Sequence, residues 1–243
     1  MQLFSQHRDS TDIQKGDFGF HLQRLRPIVE LLVQKDPKLG EWYLKADAVW
    51  EALRYRTCDA GHPSQAIIAE LAQRHRDSIA DSKIIGLWNG IEEKQEGAAL
   101  SVSIDRSLIP NEFEFSLGEQ NPTASRLGRH KSVAEIISKV VSIYDSAYVT
   151  FGPQKYEFLS KQVFEDRPSA SWMLYLPRVL TPSEVPEARD LIPVIDGDVQ
   201  NGTIIVSVID EVFSVDNAEH VKIANAIEVQ LVDQDLLPRF VDL

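Results

Sequence analysis

Carboxylates, a single thiol and one basic loop are the residues of this chain whose types and spacing invite chemistry. Asp196-Gly197-Asp198-Val199-Gln200-Asn201-Gly202 opens like a calcium loop. Such a loop needs glycine at its sixth position for a sharp turn and a bidentate acid at its twelfth. Asn201 and Ser207 stand there instead, so the run reads as a polar turn leading into a strand. Glu112 and Glu114 could divide acid and base work if their surroundings separated their pKa values. They alternate with Phe113 and Phe115, however, which places both on a solvated strand face. Cys58 and His62 form a lone Cys-x3-His pair without a second half-site, and the six histidines never recur at His-x3-His spacing. Arg126, Arg129, His130 and Lys131 make the one basic cluster. Lacking interleaved aromatics in a chain of pI near 4.9, it reads as a solvated loop and not as a nucleic-acid site. Phosphate-cradling glycine loops and the Gly-x-Ser-x-Gly elbow are absent. No catalytic residue, metal or cofactor is therefore expected.

What stands out is charge. Between Glu184 and Leu243, thirteen acids face only Arg189, Lys222 and Arg239, which places ten of the chain's twelve net negative charges in its last quarter. Such asymmetry attracts a basic partner and repels nucleic acid. Asp196, Asp198, Asp210, Glu211 and Asp216 fall in the turns between predicted elements and are the expected partner-binding residues.

The elements that must position them follow from periodicity. Phe18, Leu22, Leu25, Val29 and Leu32 mark one face of an early helix, complicated by Pro27 and ended by Asp36-Pro37. A short extended piece is expected near Trp42 and Tyr43, a brief helix over 46–54, and a clearer helix opened by His62-Pro63. From Lys83 the period changes to two, predicting strands at Ile84–Trp88, Leu100–Ile104 and Phe113–Leu117 in an antiparallel meander. Ser132 and Glu135 form a capping box before the amphipathic run Val133, Ile136, Ile137, Val140, Val141, Tyr144. Trp172–Leu176 and Thr203–Ile209 read as central strands, with a short helix begun by Thr181-Pro182-Ser183-Glu184 between them. Asp216-Asn217 caps a last helix carrying Val221, Ala224, Ile227 and Leu231. The expected architecture is α+β, a mainly antiparallel twisted sheet flanked by helices, with a polar segment 1–15 and a single domain over 16–243. Segment 1–15 carries no export signal and no apolar run reaches the ~20 residues of a membrane span, so a cytoplasmic location is expected. A solitary cysteine agrees with a reducing compartment.

Trp172-Met173-Leu174-Tyr175-Leu176-Pro177, Gly202-Thr203-Ile204-Ile205-Val206, Phe213, Asn217-Ala218-Glu219-His220-Val221 and Leu236-Leu237-Pro238, in that order, resemble the immunity protein 52 family of bacterial polymorphic toxin systems. Leu87-Trp88-Asn89-Gly90 is compatible with it. The resemblance implies an antitoxin, encoded beside a restriction-endonuclease-type nuclease toxin often delivered by type VI secretion, that neutralises the toxin by direct binding. It implies no catalytic residues. Two other classes stay open. A small hydrolase or transferase would show a concave pocket with at least two acids of raised pKa, and a ligand-binding regulatory module would show a closed apolar pocket.

Overall fold

The computed structural model describes residues 1–14, 16–59, 61–76, 83–104 and 109–243, and the chain forms two compact units, residues 7–118 and residues 1–6 with 119–243. Strand β1 (Gln2–His7) comes first, nearly all of it in the larger unit. The smaller unit continues with α1 (Thr11–Gln14), α2 (Phe18–Lys35), β2 (Tyr43–Leu44), α3 (Val49–Ala52), β3 (Cys58–Asp59), β4 (His62–Pro63), α4 (Gln65–Arg74), β5 (Lys83–Trp88), β6 (Ala98–Ile104) and β7 (Asn111–Leu117). In it β7, β6, β5 and β2 lie side by side, each pairing antiparallel, as the alternation predicts. Phe113, Phe115 and Leu117 are buried while Glu112 and Glu114 stay half-exposed.

Helix α2 runs unbroken through Pro27. The Asp17 carboxylate caps it by accepting from Phe20 N at 2.8 Å, and the buried stripe Leu22, Leu25, Ile28, Leu32 holds it together although the proline removes one backbone donor. His62-Pro63 does not open a helix. Cys58–Asp59 pairs with it as a small hairpin, Ser64 N bonds Thr57 O at 3.0 Å, and α4 starts only at Gln65. A buried polar cluster ties distant parts of this unit together. Asp9 accepts from Arg24 Nη1 at 2.7 Å and from Asn111 Nδ2 at 3.2 Å, with His7 Nε2 3.6 Å away.

The larger unit adds α5 (His130–Tyr144), β8 (Tyr148–Gly152), α6 (Lys155–Phe158), β9 (Met173–Leu176), β10 (Asp190–Asp196), β11 (Val199–Val206) and α7 (Ala218–Asp233). Its strands run in the order β10-β11-β9-β8-β1, and every pairing is antiparallel. The α+β, antiparallel expectation holds. Strands β9 and β11 are interior, and β9 is buried at all four positions, as its continuous apolar run requires. Three strands lie where periodicity gave no signal. β1 turns Leu3, Ser5 and His7 inward, so two of its three buried positions are polar; β8 is only five residues long and buried throughout; β10 is an edge strand that tolerates Pro193. The expected helix at Thr181 is a single turn. Half of its box forms, with Thr181 N donating to Glu184 Oε2 at 2.8 Å, while Thr181 Oγ1 donates to the same oxygen at 2.7 Å and Glu184 N bonds Thr181 O; the chain then extends into β10. Helix α5 begins at His130 with Arg129 at its cap, because Gly128 (φ 90°) turns the chain before Ser132 can serve. Among the described residues no helix is long and apolar enough to cross a membrane.

Glu228 is the unusual residue of α7. It sits 1% exposed on the buried face, where a carboxylate survives only if donors fill its oxygens. Ala170 N donates to Oε1 at 2.9 Å and Val163 N to Oε2 at 2.7 Å. The Tyr156 hydroxyl donates to Oε1 at 3.1 Å. The Asn225 amide nitrogen faces Val221 O (3.2 Å), Tyr156 Oη (2.7 Å) and Lys161 O (2.9 Å), which leaves the phenol proton to Glu228. One side chain thus fixes both ends and the middle of the irregular segment 156–170 to the helix.

Glu228→Ala is expected to cost about 3 kcal/mol in urea unfolding, because three buried donors lose their acceptor. Glu228→Gln should cost roughly 1 kcal/mol, since the amide keeps one oxygen but turns NH2 toward a donor. Burial raises the Glu228 carboxyl above its ordinary 4.5, so between those values the folded chain holds a proton that the unfolded chain has released. Its contribution is therefore complete below the unfolded pKa and lost as pH rises through the folded one. Unfolding free energies measured from pH 4 upward should fall more steeply for wild type than for Glu228→Gln; parallel curves would contradict this.

Candidate functional site

The acidic candidates stand on anchored backbone. After β11, the Ser207 hydroxyl donates to Ser171 O at 2.5 Å and to Trp172 O at 3.1 Å, while the Trp172 indole returns a bond to Val208 O at 2.9 Å. Val212 N then bonds Thr123 O at 3.3 Å, and His130 Nδ1 lies 3.1 Å from Ile209 O. Val208, Val212 and Phe213 are buried. Asp210 and Glu211, between them, are consequently pushed outward and exposed. Glu211 is also oriented. His220 accepts from Ser214 N through Nδ1 at 3.1 Å, which leaves its proton on Nε2, 3.1 Å from Glu211 Oε1. Asp216 lies exposed just before the Asn217 cap, whose side chain accepts from Glu219 N at 3.0 Å.

Asp196 and Asp198 are elsewhere. Asp196 ends β10 opposite Val199, and Gly197 (φ 59°) and Asp198 make the two-residue turn of the β10–β11 hairpin, whose first position calls for a residue tolerant of positive φ. Both are exposed, and so are Ile195 (61%) and Val199 (64%) beside them. The turn precedes β11 and the Asp210 loop follows it, so at the usual strand rise the two groups lie roughly 23 Å apart. The five expected acids therefore form two surfaces, not one. The structure also sets the basic loop against one of them. Arg129 and His130 share a cleft of about 210 Å³ with Asp210 and Glu211, and His130 Nε2 lies 3.4 Å from Asp190 Oδ2.

Other candidates settle into local roles. The Asp196 run is a hairpin turn, and among the described residues no group of three or more His, Cys, Asp or Glu could hold a metal ion. Cys58 and His62 sit on opposite strands of the small hairpin. Cys58 lines an open cleft of about 210 Å³ floored by Leu22, Leu25, Trp42 and Leu87, where burial pushes its thiol pKa up and weakens it as a nucleophile. Arg26 and Arg56 on that rim pair with Glu30 (2.6 Å) and Glu41 (2.5 Å). Trp42 and Trp172 are core, Trp88 is half-buried, and Trp50 is 68% exposed. Among the described residues, Glu228 is the one carboxyl held above its ordinary range, and it is enclosed in the core. A signal for it existed, since Glu228 falls in the Ala224, Ile227, Leu231 stripe of α7.

A comparison with curated proteins finds no match. The model of the family described as immunity protein 52 matches residues 20–239, nearly the whole chain and far more than the stretch that carries the sequence resemblance. The chain belongs to the immunity protein 52 family.

Proposed function

We propose that this protein is an antitoxin that binds and neutralises a cognate nuclease toxin, delivered between bacteria by a secretion apparatus of the type VI kind, and that it acts in the cytoplasm by covering the toxin's active site or blocking its assembly. The observation that carries this reading is a member of an immunity family displaying acids on exposed turns. A nuclease surface must attract phosphates and is therefore basic. An acidic inhibitor is drawn toward such a surface over the Debye length, and the gain appears mainly in the association rate. Presentation matters because a fixed carboxylate loses little conformational freedom on binding. His220 holds Glu211, and the paired ends of β10 and β11 hold the backbone that carries Asp196 and Asp198.

Co-expression with the toxin encoded beside the gene should restore growth and yield a complex that survives size-exclusion chromatography. Failure of both would sink the antitoxin reading. Reversal of Asp210 and Glu211 to lysine is expected to slow association about tenfold and flatten its salt dependence. A separate Asp196/Asp198 reversal reports on the far end of β11, with melting temperatures controlling for the lost His220 contact. Association rates unchanged in both variants would remove the electrostatic part of the proposal.

A further inference from the structure

A second cleft in the larger unit, about 230 Å³, opens among β1, β8, α6 and the segment Ser169–Ser171. Ser171 is among its lining residues, 3% exposed, and among the described residues its hydroxyl has no hydrogen-bond partner. Its φ of 35° is in the left-handed region, where a side chain is disfavoured. Gly152 makes the arrangement possible, because a Cβ there would fall 1.9 Å from the Ser171 hydroxyl. Backbone strain and an unfilled buried hydroxyl at one residue are two penalties that the fold could shed with glycine. Their coincidence in a cleft marks a position kept for whatever the cleft binds.

The rest of the lining specifies that group. Among the described residues that line the cleft Glu157 is the charged one, and the Ser169 hydroxyl donates to its Oε1 at 2.7 Å, which orients the carboxylate. Phe4 supplies an aromatic wall. One oriented carboxylate, an unfilled hydroxyl and a ring face together suit a flat cation with several diverging N–H donors, which is a guanidinium more than a compact ammonium. Phe158, next to Glu157 in the chain, is 85% exposed and leaves an apolar side chain open to a partner. The walls are held in advance. Glu228 binds Tyr156, beside Glu157, and Ala170, between Ser169 and Ser171.

Resting on the antitoxin reading, we propose that this cleft is a guanidinium site, filled in the complex by an arginine side chain of the toxin. Dissociation constants for the neighbour-encoded toxin test it. Glu157→Gln keeps the acceptor for Ser169 but removes the charge, and should weaken binding about tenfold or more without lowering the melting temperature. Ser171→Gly relieves the strain and deletes the hydroxyl, so it should melt higher yet bind more weakly, a combination that a purely structural serine would not give. Affinities within twofold of wild type for both variants overturn the proposal. If wild type binds no toxin, the antitoxin reading fails by itself, and the cleft is then judged by NMR titration with N-acetyl-arginine amide. Saturable shifts at Gly152 and Ser171 that disappear in Glu157→Gln support a guanidinium site, and their absence overturns it.

Discussion

A carboxylate placed in a protein core is unfavourable unless donors surround it, and Glu228 is surrounded by three. All of them belong to segment 156–170, which contains one short helix and little other regular structure. Regular elements satisfy their own backbone groups, whereas an irregular segment must find partners elsewhere. Here Glu228 on α7 supplies three of those partners, and Asn225 beside it takes Lys161 O. The same segment also holds the end of the chain, through Arg167 Nη1 donating to Leu237 O and Phe240 N bonding Asp166 O at 3.0 Å. Glu157, Phe158, Ser169 and Ser171 keep their places because this clamp keeps its own.

Charge and shape divide differently over the larger unit. The acids of the last quarter are a field before they are contacts, and a field steers an approach from any direction within the Debye length. Contacts need a desolvated centre, which isolated surface acids do not provide. The hairpin tip couples Asp196 and Asp198 to exposed Ile195 and Val199. The Asp210 loop instead lies beside Arg129 and His130 and has Glu211 engaged with His220. The two acidic surfaces at opposite ends of one strand thus differ in character.

Patterns repeated within a few residues were legible in the sequence. The β5–β6–β7 meander announced itself by alternation, α5 and α7 by their apolar stripes, and β9 and β11 by continuous apolar runs, since each period reflects one face buried locally. Local signals failed where a neighbour distant in sequence decided the outcome. β1 buries Ser5 because its hydroxyl donates to Ser146 Oγ at 2.7 Å, 141 residues away. His62-Pro63 forms a strand because Cys58–Asp59 folds back on it, and the turn at Thr181 stops because β10 must pair with β11.

The sequence by itself determined the α+β class, the antiparallel pairing, the concentration of negative charge in the last quarter and the resemblance that the family match extends to residues 20–239. Only the tertiary structure decided that the five acids separate into two groups, that Glu211 is held by a histidine, and that Glu228 clamps groups 58, 65 and 72 residues distant. The physical reason is range. Side-chain periodicity records which face of an element is buried, a property of a few adjacent residues. Filling a buried carboxylate or straining a serine over a glycine requires partners that meet only when the chain has folded.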